Sequence, residues 1–352
     1  MHPDTRLGWV HLSVAELDRS VAFYQDALGL RVLRRFPGFA ALGIHEDGAG
    51  PVTLVALSQQ AGARPKPPHC RGLYHFALRL PTRRELARAL VRLARHGWAI
   101  DGAADHWVSE AVYLSDPDGH GIELYADRPP EQWPRRGDRL LMSTEPLDWD
   151  GLMAELAPEE RLSAAEGRAS ATEGGLAART LPGPRGDAVP PGTRLGHIHL
   201  HVSRLERAER FYRDILGLDL VFRFGPSALF FSAGGYHHHV GANIWAGRDA
   251  PPPPSDAVRL LHYSFVLPSP EEVARLARRL RQAGAAVEPL AQLGPEVLES
   301  TALRAPAGRE GEPEEGFVTR DEDGQTIAVV STDGQVRDDT GGVGMQRWPT
   351  GR

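Results

Sequence analysis

The chain repeats itself. LGWVHLSV at 7–14 and FYQDALGL at 23–30 return as LGHIHLHV at 195–202 and FYRDILGL at 211–218, so that Phe23, Tyr24, Asp26, Leu28, Gly29 and Leu30 each find their match 188 residues further on. A period this long marks a duplicated domain rather than a stack of short repeats. Each copy holds a second strand-then-helix start. GLYHFALRL at 72–80 precedes Pro81, and LLHYSFVL at 260–267 precedes Pro268. Alternating apolar residues in these runs predict strands, and the 3.6-residue spacing after them predicts helices. The chain therefore divides into four strand–helix–strands units, at about 6–60, 70–127, 194–248 and 258–332.

The units group into a first domain at 6–127 and a second at 194–332. Between them, 128–193 is expected to be a linker with one short helix from Asp148 to Leu156, followed by a stretch rich in Gly, Ala and Pro. An insertion in unit four, about 288–315, is expected to be a mobile loop, and 333–352 a flexible tail. At 352 residues the chain suits two domains of ~150 residues each.

The stretch YLSDPDGHGIELYAD, 113–127, reads as two strands joined by a tight turn at Asp116-Pro117-Asp118-Gly119. Beyond the turn Ile122 and Leu124 face one side, and Glu123 and Tyr125 the other. A carboxylate on the inner face of a core strand is costly without a cation or hydrogen bonds to satisfy it. Fifteen histidines are available, and they concentrate on the predicted strands. His197, His199 and His201 share one strand face, and Tyr236-His237-His238-His239 is expected on another strand.

A net charge of −6 and the lack of any lysine- or arginine-rich run argue against nucleic acid as a partner. No apolar stretch reaches ~18 residues, which argues against a membrane span. The N-terminus lacks the features of a signal peptide. Cys70 is the only cysteine, so no internal disulfide forms and a cytoplasmic setting is expected.

In FYxDxLGL and DPDGHGIELY together the chain resembles the vicinal oxygen chelate superfamily, which includes glyoxalase I, bleomycin-resistance proteins and extradiol (catechol 2,3-) dioxygenases. The resemblance implies an α+β fold of tandem domains, four βαβββ units curling into mixed-sheet cups that hold a metal. Ligands in that superfamily are a first-strand His from one unit, with a first-strand His and a last-strand Glu from its partner. The matching first-strand positions are Trp9, His75, His197 and His262, and the indole of Trp9 cannot ligate. The matching last-strand positions are Glu123 in unit two and Ala328 in unit four. The implied metal set is thus His75, Glu123 and His197, complete only if unit two pairs with unit three. Pairing within the first half, with His11 as alternative first ligand, stays open.

Two histidines and one carboxylate suit non-haem Fe(II), and Mn(II) also fits. By resemblance, His238 is the acid–base residue, with His237 beside it and Tyr113 near the substrate hydroxyl. His199, His106 and His239 fall around the substrate. The implied activity is Fe(II)-dependent extradiol cleavage of catechol or a substituted catechol by O₂, giving a hydroxymuconic semialdehyde. Its partners are a small aromatic diol and O₂, and a homo-oligomer is compatible with this reading. Two other readings are a glyoxalase-like metal-dependent lyase or isomerase, and a metal-free binding protein. Ala328 removes the second carboxylate typical of the first, and the His75, Glu123 and His197 set argues against the second.

Overall fold

The computed structural model describes residues 1–48, 50–137, 139–160, 188–301 and 316–331. The strands are β1 (Arg6–Val14), β2 (Arg31–Phe36), β3 (Phe39–Glu46), β4 (Gly50–Gln59), β5 (Gly72–Leu80), β6 (Gly102–Asp105), β7 (Ser109–Ser115), β8 (Gly121–Asp127), β9 (Arg135–Arg136), β10 (Arg139–Leu140), β11 (Arg194–His201), β12 (Asp219–Phe224), β13 (Ala228–Ser232), β14 (Val240–Asn243), β15 (Leu260–Leu267), β16 (Glu288–Pro289), β17 (Gly316–Arg320) and β18 (Thr326–Ser331). Each unit has the same internal order: its first strand runs parallel to its last, and the two middle strands follow antiparallel.

Two eight-stranded sheets result, and each draws one unit from either half of the chain. Units one and four meet where β1 pairs antiparallel with β15. Units two and three meet where β5 pairs antiparallel with β11. This second junction sets His75 directly opposite His199 and Ala77 opposite His197, while parallel β8 sets Glu123 beside Ala77. His11 pairs with His262 in the other sheet, so the open question of pairing resolves to the cross-half arrangement.

Helices cover the outer faces. The two longest are α2 (Arg83–Arg95, after the short α1 at Leu17–Ala22) and the helix at Pro270–Gln282. Each starts on a hydroxyl cap, Thr82 or Ser269, which accepts the backbone N–H three residues on. Both bury an apolar stripe and place arginines in the last turn, where they complement the helix dipole.

Three expectations change. Tyr236–His239 does not lie on a strand; it sits in the loop between β13 and β14. Gly234 and Gly235, at φ 64° and 79°, turn the chain out of the sheet, and His239 N rejoins it by bonding to Phe231 O. The unit-four insertion is structured over 288–301: β16, a 3₁₀ turn (Leu290–Leu293) and a helix (Pro295–Ser300) bury Leu290, Val297 and Leu298 against Trp9 and Ala328. That sheet's cup is thus filled with apolar side chains. The connection is also more ordered at its start than a linker, because Trp133 and Leu140 are buried with Val108 and Tyr236. Its short helix forms at Trp149–Ala154, capped by Asp148. The Gly/Ala/Pro-rich stretch, the rest of the insertion and the tail fall outside the described residues.

Candidate metal centre

In the sheet of units two and three the inner face is polar. Along β8, Ile122 and Leu124 join the main core, while Glu123 and Tyr125 face the cup. Gly121 lets β8 close on β5, since a Cβ there would stand 2.1 Å from the Tyr74 carbonyl oxygen and 3.1 Å from the His75 Cβ. Glu123 Oε2 lies 3.1 Å from His75 Nε2 and 2.9 Å from His197 Nε2. All three groups are buried, with their ligand atoms within 4.8 Å of one another.

The donor set fits a divalent ion. Atoms ~2.1 Å from an ion and at right angles about it stand ~3 Å apart, the spacing found on both sides of Glu123 Oε2. Moreover, His75 Nε2 is buried without a hydrogen-bond partner despite its approach to Glu123, as are His197 Nδ1 and His199 Nε2. Orphaned buried nitrogens are costly and mark a missing partner. Burial alone would raise the Glu123 carboxyl, but His197 and His75 outweigh it and hold it well below the usual range. Burial foremost lowers the His75 imidazole, which keeps its lone pairs free.

The triad floors a cavity of about 720 Å³ that His199, His201, His238, His106 and Tyr113 also line. His238 lies over His197, with ring centroids 4.1 Å apart. Burial first, then the neighbouring imidazoles, hold His238 well below the ordinary histidine range. Its orientation comes from a chain: Asp127 Oδ1 lies 2.9 Å from His237 Nε2, and His237 Nδ1 lies 2.8 Å from His238 Nδ1. A carboxylate only accepts, so His237 Nε2 carries the proton between them; in the tautomer where His237 Nδ1 is the acceptor, His238 Nδ1–H donates to it. This leaves His238 Nε2 as an unprotonated base.

Opposite, His106 Nδ1 lies 2.7 Å from the Ser143 carbonyl oxygen and donates to it. His106 Nε2 therefore accepts from the Tyr113 hydroxyl at 2.6 Å. Burial, then Glu123, push Tyr113 far above the usual phenol range, so it stays protonated.

Two expected site residues stand elsewhere. His239 does not line the cavity; its Nδ1 faces Ser232 Oγ and the Ala233 N–H, fixing the loop. His11 lies in the other sheet, bonded to Ser58 and 3.3 Å from His262 Nδ1, while the Trp9 indole donates to His262 Nε2. Asp127 does not stand out in the sequence, although it lies four residues beyond Glu123 on the same face of the same strand. Its partners Arg79, Tyr236 and His237 come from distant segments, and strand alternation alone does not bring them together.

The chain belongs to the Glyoxalase/Bleomycin resistance protein/Dioxygenase superfamily, whose profile matches residues 6–124 and 194–329. It is 44% identical to a catechol-2,3-dioxygenase of Bacillus subtilis over 82% of this chain and 92% of that protein. It is 30% identical to a manganese-dependent 2,3-dihydroxybiphenyl 1,2-dioxygenase of Geobacillus genomosp. 3 over 27% of each chain. Among solved structures, a putative dioxygenase from Bacillus subtilis superposes with a TM-score of 0.54 at 14% identity, over 93% of this chain and 84% of that one, and so shares the fold.

Proposed function

We propose that the protein is an extradiol ring-cleaving dioxygenase acting on catechol or a substituted catechol, with His75, Glu123 and His197 as metal ligands. The observation that carries this is the convergence of one carboxylate and two imidazoles on the floor of a cavity whose wall presents His238, stacked over His197. The similarity to the Bacillus catechol-2,3-dioxygenase supports the choice of substrate class. A divalent metal on this triad, Fe(II) with Mn(II) as the alternative, would acidify a bound diol and bring it together with O₂.

The chain's own side chains supply the proton handling. His238 Nε2 takes a proton from a diol hydroxyl, and the hydrogen bonds through His237 to Asp127 hold the ring in the tautomer that can do so. Tyr113 has its own proton directed to His106, so its oxygen is left to accept from a ligand in the cavity. His199 lies between His75 and Trp245 and can steady the diol's edge. Phe222, Phe224, Phe230 and Trp245 form an apolar outer wall that limits water at the reacting centre. The soluble substrates suit a cytoplasmic enzyme, and no described helix is long and apolar enough to cross a membrane.

The test is protein purified without oxygen, its metal measured, then mixed with catechol under air. One Fe or Mn per chain, with O₂ uptake matched by a yellow semialdehyde, is the expected result. Zn or Ni with no O₂ uptake would move the reading to a lyase, and no metal at all to a binder.

A further inference from the structure

Of the 40 lysine and arginine residues in this chain, Lys66 alone is a lysine. Arginine is otherwise the chain's cation wherever a surface charge or an ion pair is needed. An ammonium differs by being compact, with three donors that reorient freely. Lys66 lies in the segment leading to β5 and borders two adjoining cavities, the 720 Å³ one above the triad and a smaller one of about 170 Å³.

The carboxylates bordering the smaller cavity are engaged elsewhere: Asp323 by Ser203 and Arg71, and Asp321 by Tyr212. Lys66 Nζ donates to the Cys70 carbonyl oxygen at 3.0 Å. Burial lowers its pKa, with Cys70 opposing, and among the described residues Lys66 forms no ion pair. Nearby Arg71, by contrast, has Asp323 at 3.7 Å. A half-buried ammonium without a counter-ion is costly, and a ligand carboxylate would relieve that cost.

The path from this charge to the triad is continuous. Burial chiefly, and the Lys66 charge in addition, bring His201 down to about 4 against the Asn243 hydrogen bond. His201 packs on Tyr74 at 4.8 Å between ring centroids, and Tyr74 on His75 at 4.9 Å. One wall of the cavity therefore runs from His75 to the Lys66 ammonium, and Phe222, Phe224 and Phe230 line the cavity without charge.

We propose that Lys66 selects catechols bearing a carboxylate side chain, the diol held at the triad and the carboxylate at the ammonium. The inference rests on the ring-cleavage reading for the diol end and adds the second pole. It is tested by equilibrium titration of Mn(II)-loaded protein without oxygen, using 3-(3,4-dihydroxyphenyl)propionate and its carboxamide. Both carry the same diol, and only the charge at the far end differs. The wild type should bind the acid ~10-fold more tightly than the amide. Lys66→Met should bring that ratio to about one, and Lys66→Arg should keep most of it. A wild-type ratio near one, or a preference kept in Lys66→Met, would overturn the assignment. Failure of both probes to bind would strike the ring-cleavage reading itself and take this inference with it.

Discussion

Tyr24 Oη donates a 2.9 Å hydrogen bond to Asp116 Oδ2, and Tyr212 repeats it on Asp321 at 2.8 Å. The two bonds join the two motifs of each half, the FY pair after the first strand and the DxDG turn before the last. Asp116 also caps its own turn, accepting the N–H groups of Asp118 and His120. Each motif therefore fixes the other, and the turn fixes where β8 starts.

Tyr24→Phe should test this. It leaves a buried carboxylate oxygen without its donor and should destabilise the fold by ~1–3 kcal/mol. Denaturant unfolding of the metal-loaded protein would measure it. Because Tyr24 does not line the cavity, bound metal should stay at one per chain. A stability unchanged within error would mean that water replaces the hydroxyl.

The second prediction concerns the triad. His75→Ala, Glu123→Ala and His197→Ala should each abolish stoichiometric metal, since each leaves two protein ligands. His11→Ala and His262→Ala should keep it, because those rings share the other sheet's filled cup with Trp9 and Ser58. Metal analysis of the purified variants decides between the sets. Metal kept in any of the first three would mean that the ligands are misassigned.

The inner-face residues of β5, β8 and β11 could be found in the sequence because strands alternate and the units repeat. Placing His75, Glu123 and His197 on facing positions needed only the period of two and the choice of partner unit. Ala328 signalled that the other cup had lost its carboxylate, but not that Leu290, Val297 and Leu298 would fill it. That packing is tertiary, and its sequence is rich in loop-forming residues. The YHHH run misled for the opposite reason: it follows a strand pattern, yet two glycines before it take left-handed angles and lift it out of the sheet. Asp127 acts through side chains 110 residues away, a relationship that no local pattern contains.

The relay to His238 gives the third prediction. His238→Ala should keep its metal and lose ~10²–10⁴ in kcat for catechol cleavage. The loss should shrink as pH rises and solvent takes over deprotonation. Asp127 reaches His238 only through His237 and does not line the cavity, so Asp127→Asn should leave KM and metal content near wild type. Its kcat should fall less than that of His238→Ala and recover with the same pH trend. Kinetics against pH at saturating catechol and fixed O₂ would show it; a flat, unshifted profile for Asp127→Asn would confine that residue to holding Arg79 and Tyr236.

The last prediction uses Asp321, which does not line the cavity above the triad. Burial raises its carboxyl from an ordinary 3.8 to about 6, against the opposing hydrogen bonds from the Gln325 and Asp323 N–H groups and the Tyr212 hydroxyl. The folded state thus holds a proton that the unfolded chain gives up. The resulting stability is fully present below pH ~4 and is lost as pH rises through about 6, a swing of ~3 kcal/mol for a shift of about two units. Asp321→Asn cannot titrate. Its amide oxygen can keep the two backbone donors, and Tyr212 can turn its proton to Tyr263, 3.0 Å away. Relative to wild type, Asp321→Asn should therefore gain stability steadily between pH 4 and 7, and then no further. Urea unfolding of both proteins at several pH values, metal-saturated or metal-free alike, gives the difference. A difference independent of pH would show that the carboxylate is satisfied when ionised, with the turn's N–H groups outweighing its burial.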